Sequence, residues 1–264
     1  MKIGIEAQRL FRPKKHGLEI VALELIRRLQ KIDKTNEYVI FVRKDKDSSC
    51  IQATENFKIR EISATSFPDW EQVRLPLALK QEKLDVLHCT ANTAPLFTSV
   101  PIILTLHDII FMEKEGFRGN YYQYIGNVYR KYLLPRIINK SKKILTVSNS
   151  EKINILNYFP DSQNRLEVVY NGVNESFKVL DRTEVKNTLE EYDLPEKFIL
   201  FFGNSASKKN SKNTILGFMD YAEKAEKPIP LIIAGGFKNY IESLLQQLKA
   251  PKHLIKAIGY IPFY

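Results

Sequence analysis

Apolar and polar positions follow two periods along this chain. Lys2–Ala7 alternates around Ile3 and Ile5 and reads as a strand. From Gly17 the period changes, and Leu18, Val21, Leu25 and Leu29 mark one face of a helix. Tyr38–Val42 and Phe57–Ile62 read as further strands, the first ended by the charged loop Arg43–Asp47. Trp70–Leu79 has helical spacing, with Pro76 expected to kink or end it. Val86–His88 and Ile102–Leu106 are short buried-strand runs. Asn120–Asn139 predicts a long helix interrupted at Pro135. Lys143–Val147 reads as a strand, Ser150–Tyr158 as a helix capped by Asn149 or Ser150, and Leu166–Val169 as a strand closed by Asn171-Gly172.

The rhythm then restarts. Residues 173–182 look like a linker, and Thr183–Tyr192 is a helix stopped at Leu194-Pro195. Strands Phe198–Phe202, Pro230–Ala234 and Leu254–Ile258 alternate with helices Asn213–Ala225 and Tyr240–Lys249. Strand–helix alternation with short turns predicts an α/β fold with parallel sheets, split into a first domain over 1–172 and a second over 183–264.

Composition narrows the class. With 264 residues, 44% of them hydrophobic, the chain has material for a real core and is not a disordered protein. Its apolar runs are far shorter than the roughly 18–20 residues that cross a bilayer. Met1–Glu6 lacks the apolar stretch and cleavage site of a signal peptide, so a cytoplasmic location is expected. Cys50 and Cys89 show neither redox nor metal spacing, and the four histidines show no zinc spacing.

The net charge of +10 is concentrated in the first domain. No acidic residue falls between Glu115 and Glu151. The same stretch holds Arg118, Arg130, Lys131, Arg136, Lys140, Lys142 and Lys143, interleaved with Phe117, Tyr121, Tyr122, Tyr124, Tyr129 and Tyr132. Such interleaving suits an anionic membrane surface, a nucleic acid or a phosphorylated substrate, or is the solvated face of a surface helix. Net charge alone supports a nucleic-acid partner poorly, because no recognisable module accompanies it.

In parallel α/β sheets ligands gather beyond the carboxyl ends of the strands. Four turns there have suitable chemistry. The Arg9–Gly17 loop opens a helix at Gly17, where free N–H groups attract anions. It is not a GxGxxG fingerprint, and no Walker loop occurs anywhere. His107-Asp108 follows the Ile102–Leu106 strand. It can contact substrate or move a proton, or it is a structural pair fixing the loop. His88 reads as structural. Gly203-Asn204 through Lys208-Lys209-Asn210 leads into a helix and can hold a diphosphate, or is an exposed basic loop. Gly235-Gly236 permits close approach to a nucleotide, or is only a tight turn.

The order of these motifs resembles glycosyltransferases of family 4, in the branch of bacterial mannosyltransferases of O-antigen, capsule and exopolysaccharide synthesis. The resemblance rests on His16-Gly17-Leu18-Glu19, Trp70-Glu71-Gln72-Val73-Arg74-Leu75-Pro76, Asp85-Val86-Leu87-His88 with Asn92-Thr93-Ala94-Pro95, and Leu106-His107-Asp108. It continues through Thr146–Ser150, Val169–Val173, Gly203–Asn210, Ile232–Gly236 and Ile258-Gly259-Tyr260.

This resemblance implies a GT-B-like fold of two Rossmann-like domains, with the acceptor side first and the donor side second. It implies transfer of a sugar from a nucleotide sugar, with mannose from GDP-mannose as the family-level expectation, to a glycan or lipid-linked acceptor, with retention and without metal or cofactor. His107 and Asp108 become the catalytic candidates. Gly17, Asn204, Lys208 and Lys209 become the diphosphate contacts, with Asn204 standing where many relatives have Arg. Gly235 and Gly236 become the nucleotide loop. Arg130, Lys131, Arg136, Lys140, Lys142 and Lys143 become an acceptor or membrane patch, placing the protein at the inner face of the cytoplasmic membrane. In the family a donor-binding E-x7-E segment follows the stretch matching Ile258–Pro262. The chain ends at Tyr264, so the second domain is expected to be incomplete and the activity of these residues alone to be weak. A non-catalytic acceptor-, membrane- or partner-binding module is the alternative.

Overall fold

A computed structural model describes residues 1–112, 121–205, 209–235 and 238–261, with the backbone alone at 121–123. The chain divides into two units, Met1–Asn174 and Glu175–Tyr264.

The first unit is a parallel sheet of seven strands in the order β3-β2-β1-β4-β5-β6-β7. The strands are β1 Lys2–Glu6, β2 Glu37–Val42, β3 Phe57–Glu61, β4 Val86–Cys89, β5 Ile102–Leu106, β6 Lys143–Thr146 and β7 Leu166–Val168. Both faces are covered, which is why Tyr38–Val42 is an unbroken apolar run rather than an alternating one. On one face α1 (Gly17–Ile32) packs Leu23 and Ile26 against Ile5, Ala7 and Ile40. On the other face Trp70, Leu75, Leu79 and the helix α4 (Tyr121–Lys140) cover Val39, Phe41, Leu87 and Leu104.

Three local features differ from the sequence expectation. First, α4 runs straight through Pro135. An interior proline costs about 3 kcal/mol. Leu133, Leu134, Ile137 and Ile138 flank it fully buried, and four such side chains stabilise at about 1.5–3 kcal/mol each. Burial wins. Second, Pro76 does not end its helix. The chain runs from α2 (Phe67–Asp69) through a π-turn at Trp70–Arg74 into α3 (Leu75–Glu82), and the Leu75 N–H bonds the Trp70 carbonyl. Pro76 has no N–H and its ring crowds the carbonyl four residues back, and the widened turn accommodates it. Third, α5 (Asn149–Tyr158) is capped by neither Asn149 nor Ser150 but by Ser148, whose Oγ accepts from the Glu151 N–H at 3.1 Å.

Residues 173–181 carry no regular element. The second unit begins with α6 (Arg182–Glu191), capped by Asp181 through the N–H groups of Thr183 and Glu184, and then forms a three-stranded parallel sheet in the order β10-β9-β8. Its strands are β8 Ile199–Phe202, β9 Leu231–Ala234 and β10 Ile255–Gly259. Helices α7 (Ser211–Lys224) and α8 (Lys238–Gln247) bury Ile215, Phe218, Ile241 and Leu244 against Leu231, Ile233 and Ile255. β8 lies at a sheet edge, with Ile199, Leu200 and Phe202 exposed by 42%, 48% and 63%. No helix among the described residues is long and apolar enough to cross a membrane.

Candidate functional site

The carboxyl ends of β1, β4 and β5 converge in the first unit. Hydrogen bonding settles the state of His107, which closes β5. Its backbone N–H donates to Asn92 Oδ1 at 2.7 Å, and Nε2 lies 3.0 Å from the Thr90 carbonyl. A carbonyl only accepts, so Nε2 carries a proton, and in the neutral ring Nδ1 then keeps its lone pair. Burial lowers the His107 pKa, against the Thr90 contact and the Asp108 charge, so the ring is neutral at pH 7. Asn92 itself sits in the left-handed region at φ 64°, a conformation Asn tolerates better than most residues. Asp108 makes no hydrogen bond to His107. Its Oδ1 accepts from the Ile110 N–H at 3.4 Å, so it steadies the following loop. His88 pairs with Thr105 Oγ1 at 2.8 Å inside the sheet, and burial takes its pKa down to about 4.

Beside His107 lies a buried acid network. The π-turn turns Glu71 inward until it is 1% exposed. Its Oε1 accepts from Thr93 Oγ1. Its Oε2 accepts from the Tyr129 hydroxyl at 2.5 Å and from Gln72 Nε2 at 2.9 Å. Burial raises the Glu71 pKa against these three donors. Glu6, at the end of β1, is 3% exposed, and burial with the Glu71 charge pushes its carboxyl up to about 7. Glu6 Oε1 accepts from the Gln8 N–H at 3.0 Å, whereas Glu6 Oε2 and both amide atoms of Gln8 are buried with no hydrogen-bond partner among the described residues. An unpartnered oxygen disfavours the charged carboxylate.

Arg130 belongs to this network and not to a surface patch. It is half-buried, its guanidinium lies 6.0 Å from the Phe111 ring centre, and it feels the charges of Asp108 and Glu71. Lys143 is also apart from the patch, on β6 and ion-paired to Glu167. What remains on the outer face of α4 is Lys131, Arg136 and Lys140, among the exposed Tyr124, Ile125, Val128 and Tyr132, with Lys142 exposed just beyond the helix end. Arg136 stacks on Tyr132 at 3.8 Å, and Lys140 reaches the Leu96 carbonyl. Phe117 and Arg118 lie outside the described residues.

At the β1–α1 turn, the Glu19 carboxylate accepts from the His16 N–H at 3.0 Å and closes the first turn of α1. A Cβ at Gly17 would meet nothing within 4 Å among the described residues, so there is room beside the first turn of α1.

The second unit brings different groups to its strand ends. Ser211 Oγ donates to the Asn204 carbonyl at 2.8 Å and accepts from the Asn204 N–H at 3.2 Å, which fixes the loop after β8. Lys209 is exposed in the turn entering α7, and Lys208 lies outside the described residues. Gly235 has φ 124°, and a Cβ there would sit 2.5 Å from the Gly203 carbonyl oxygen, so only glycine fits. Gly236 lies outside the described residues.

The sequence reading assigned no role to Glu6 and missed the inward roles of Glu71 and Tyr129. One signal was legible. A central parallel strand is buried on both faces, so an acid closing β1 had to be a buried acid. The π-turn that aims Glu71 had no such signature.

Comparison with known proteins identifies the family and the fold. The model of Glycosyltransferase Family 4 matches residues 16–177, more than half of the chain. An uncharacterised glycosyltransferase of Methanocaldococcus jannaschii is 23% identical over 230 residues, covering 80% of this chain and 57% of that protein. The O-antigen chain mannosyltransferase RfbU of Salmonella typhimurium is 28% identical over 181 residues, covering 68% and 44%. The chain thus spans about half the length of these curated relatives. Among solved structures, Anabaena HepE in complex with UDP-glucose superposes with a TM-score of 0.68 at 13% identity, covering 99% of this chain and 70% of that one. WaaG, a glycosyltransferase of lipopolysaccharide biosynthesis, gives 0.68 at 10% identity with the same coverage. The fold is therefore that of GT-B glycosyltransferases, and the chain belongs to Glycosyltransferase Family 4.

Proposed function

We propose that this chain carries the acceptor side and the first part of the donor side of a retaining, nucleotide-sugar-dependent hexosyltransferase. Mannose from GDP-mannose is the leading donor, since the relative RfbU is a mannosyltransferase. HepE, a neighbour in fold, binds UDP-glucose, so the base stays part of the test. The observation that carries the reading is His107. It is neutral, half-buried at the carboxyl end of β5, with Nε2–H tied to Thr90 and an Nδ1 lone pair left to accept a hydrogen bond from a sugar hydroxyl. Gly17 opens space for a diphosphate at the N-terminus of α1, and Lys209, with Lys208, supplies cationic charge to the leaving group. No metal or cofactor enters this reading. Asp108 acts by holding the loop after His107.

The acceptor is a glycan or lipid-linked sugar, and the outer face of α4 suits an anionic membrane surface. Tyr124, Ile125, Val128 and Tyr132 supply apolar contact, and Lys131, Arg136 and Lys140 supply charge. Salt-sensitive co-sedimentation with anionic vesicles, lost in a Lys131→Glu/Arg136→Glu variant, tests this location.

The deciding experiment measures nucleoside diphosphate binding and acceptor-dependent release of nucleoside diphosphate from UDP- and GDP-sugars. Binding is expected to weaken several-fold in Lys209→Ala. The family's E-x7-E segment after the Ile258–Pro262 match is not among these 264 residues, so release by them alone is expected to be slow. What release there is should fall about 100-fold or more in His107→Ala. Failure of every nucleoside diphosphate to bind sinks the reading.

A further inference from the structure

A cavity of about 380 Å³ opens at the amino ends of β4 and β5, where Leu84 leads toward one strand and Pro101 into the other. Its floor is apolar. Leu79 and Leu84 are 2% and 8% exposed, and Pro76 and Val100 complete the walls. The ligands of a parallel sheet gather at the carboxyl ends of its strands, which is where His107 stands. Sugar transfer therefore gives no reason for a cavity at the opposite end.

The rim is cationic and unpaired. Lys80 and Lys83 line the cavity, and Lys142 is tied beside it by its backbone N–H, which donates to the Ile102 carbonyl at 2.9 Å. Among the described residues none of these three side chains makes an ion pair or a hydrogen bond. No acid lines the cavity. The two acids nearest in sequence are engaged elsewhere: Glu82 pairs with Lys2 and Arg60, and Asp85 accepts from the Lys2 N–H at 2.7 Å. Lys83 closes α3 at φ 49°, in the left-handed region where glycine or asparagine is the usual residue.

Apolar surface continues past the mouth. Phe97, on the rim, is 76% exposed, and Leu77, three residues before Lys80 on α3, is 52% exposed. These observations choose the occupant. Unpaired cations around apolar surface complement a partner that is both acidic and apolar. A floor recessed at Leu79 and Leu84 is out of reach of a flat bilayer, whereas one inserted side chain reaches it. The apolar surface outside the mouth exceeds what a small molecule filling the cavity would cover, and suits a chain that continues beyond it.

We propose that this cavity is the docking site of a partner protein, whose acidic segment inserts one phenylalanine- or leucine-sized side chain among Leu79, Leu84 and Val100 while its carboxylates meet Lys80, Lys83 and Lys142. The inserted side chain is the anchor, and the charges set orientation and the speed of capture. The site lies at the far end of the sheet from His107, so it tethers the protein without entering the proposed reaction.

The test is calorimetric titration of the 264-residue chain with acidic nonapeptides that differ only in a central phenylalanine, leucine or alanine flanked by glutamates. Octanoate and phosphatidylglycerol vesicles are the comparison probes. The phenylalanine and leucine peptides should bind about tenfold or more tightly than the alanine peptide. Their affinity should fall several-fold as salt rises, because the lysines stand in solvent. Lys80→Gln/Lys83→Gln should remove most of the binding. Ser99→Trp keeps every charge and blocks the mouth, so it should abolish the preference for a large apolar centre. Both variants should melt near the parent. Equal binding of the three peptides, or binding of none, overturns the proposal. So does a lower melting temperature in Lys80→Gln/Lys83→Gln with peptide binding unchanged, which would assign these lysines to the dipole of α3 alone. Octanoate binding without peptide binding would make the cavity a small-molecule site, and vesicle binding lost in the double variant would give the lysines to the membrane. Either result overturns the docking site.

Discussion

The carboxyl ends of the two sheets use opposite physics. In the first unit, side chains dominate. Glu6, Glu71, Tyr129, Arg130 and His107 are buried or half-buried, and all but Glu6 are positioned by side-chain hydrogen bonds or ring contacts from a second element. In the second unit, backbone dominates. Gly203 and Gly235 pack against each other's strand ends, Ser211 ties the Asn204 backbone, and Lys209 stands in solvent. A network of buried side chains holds a shape before any ligand arrives, so it suits a site that must discriminate. An open glycine-lined end with an exposed cation suits a phosphate that is bound and released.

The largest test of this contrast is at Gly235. Its φ of 124° strains any other residue, and a Cβ would sit 2.5 Å from a backbone oxygen that cannot swing away. Gly235→Ala should destabilise the second unit by about 3–5 kcal/mol, combining backbone strain with overpacking. Denaturant unfolding followed by a probe in that unit checks it. A loss below about 1 kcal/mol would show that the two strand ends are not locked together.

Next comes the acid network, through pH. Glu6 has a folded pKa of about 7 against an ordinary value of 4.5. A carboxyl raised on folding binds its proton more tightly in the native state. Its stabilising contribution is therefore complete below about pH 4.5 and is lost as pH rises through 7. At 1.4 kcal/mol per pH unit, the first unit should lose about 3 kcal/mol over that window. Glu6→Gln should flatten the slope, which melting curves between pH 5 and 7.5 will show. His88, with its pKa lowered to about 4, gives the opposite trend on the acid side, losing stability as pH falls from 6.5 toward 4. An unchanged slope in Glu6→Gln would place the titration elsewhere.

Glu71→Ala should cost about 2–3 kcal/mol, because Thr93, Tyr129 and Gln72 lose a shared acceptor and all three are buried or half-buried. Glu71→Gln keeps an acceptor oxygen and should cost less than half as much. Equal losses in the two variants would mean that packing, not hydrogen bonding, fixes the π-turn.

These tests bear on what the sequence could show. Parallel α/β architecture was legible because buried strands such as Tyr38–Val42 carry unbroken apolar runs and helices carry their own period. His107 was legible because it follows such a strand. The π-turn was not, since one extra residue in a helical turn leaves the spacing of apolar positions nearly unchanged. Pro135 misled for a related reason: its cost is local and visible, and the burial of four neighbouring side chains that outweighs it is tertiary. Arg130 misled because the basic stretch reads as one surface. On a helix, adjacent residues point about 100° apart, so Arg130 faces inward while Lys131 faces solvent.

The smallest effect separates the two ends most sharply. Gly17 and Gly235 both look like turn glycines, yet Gly17 has ordinary backbone angles and open space before it. Gly17→Ala should therefore leave the fold intact or stabilise it, by up to about 0.5–1 kcal/mol, through a stiffer unfolded chain and a better helix former. If the space before α1 exists for a diphosphate, the added methyl group fills part of it, and UDP binding should weaken several-fold while the melting temperature holds or rises. Unchanged binding would show that the N-terminus of α1 is only a turn.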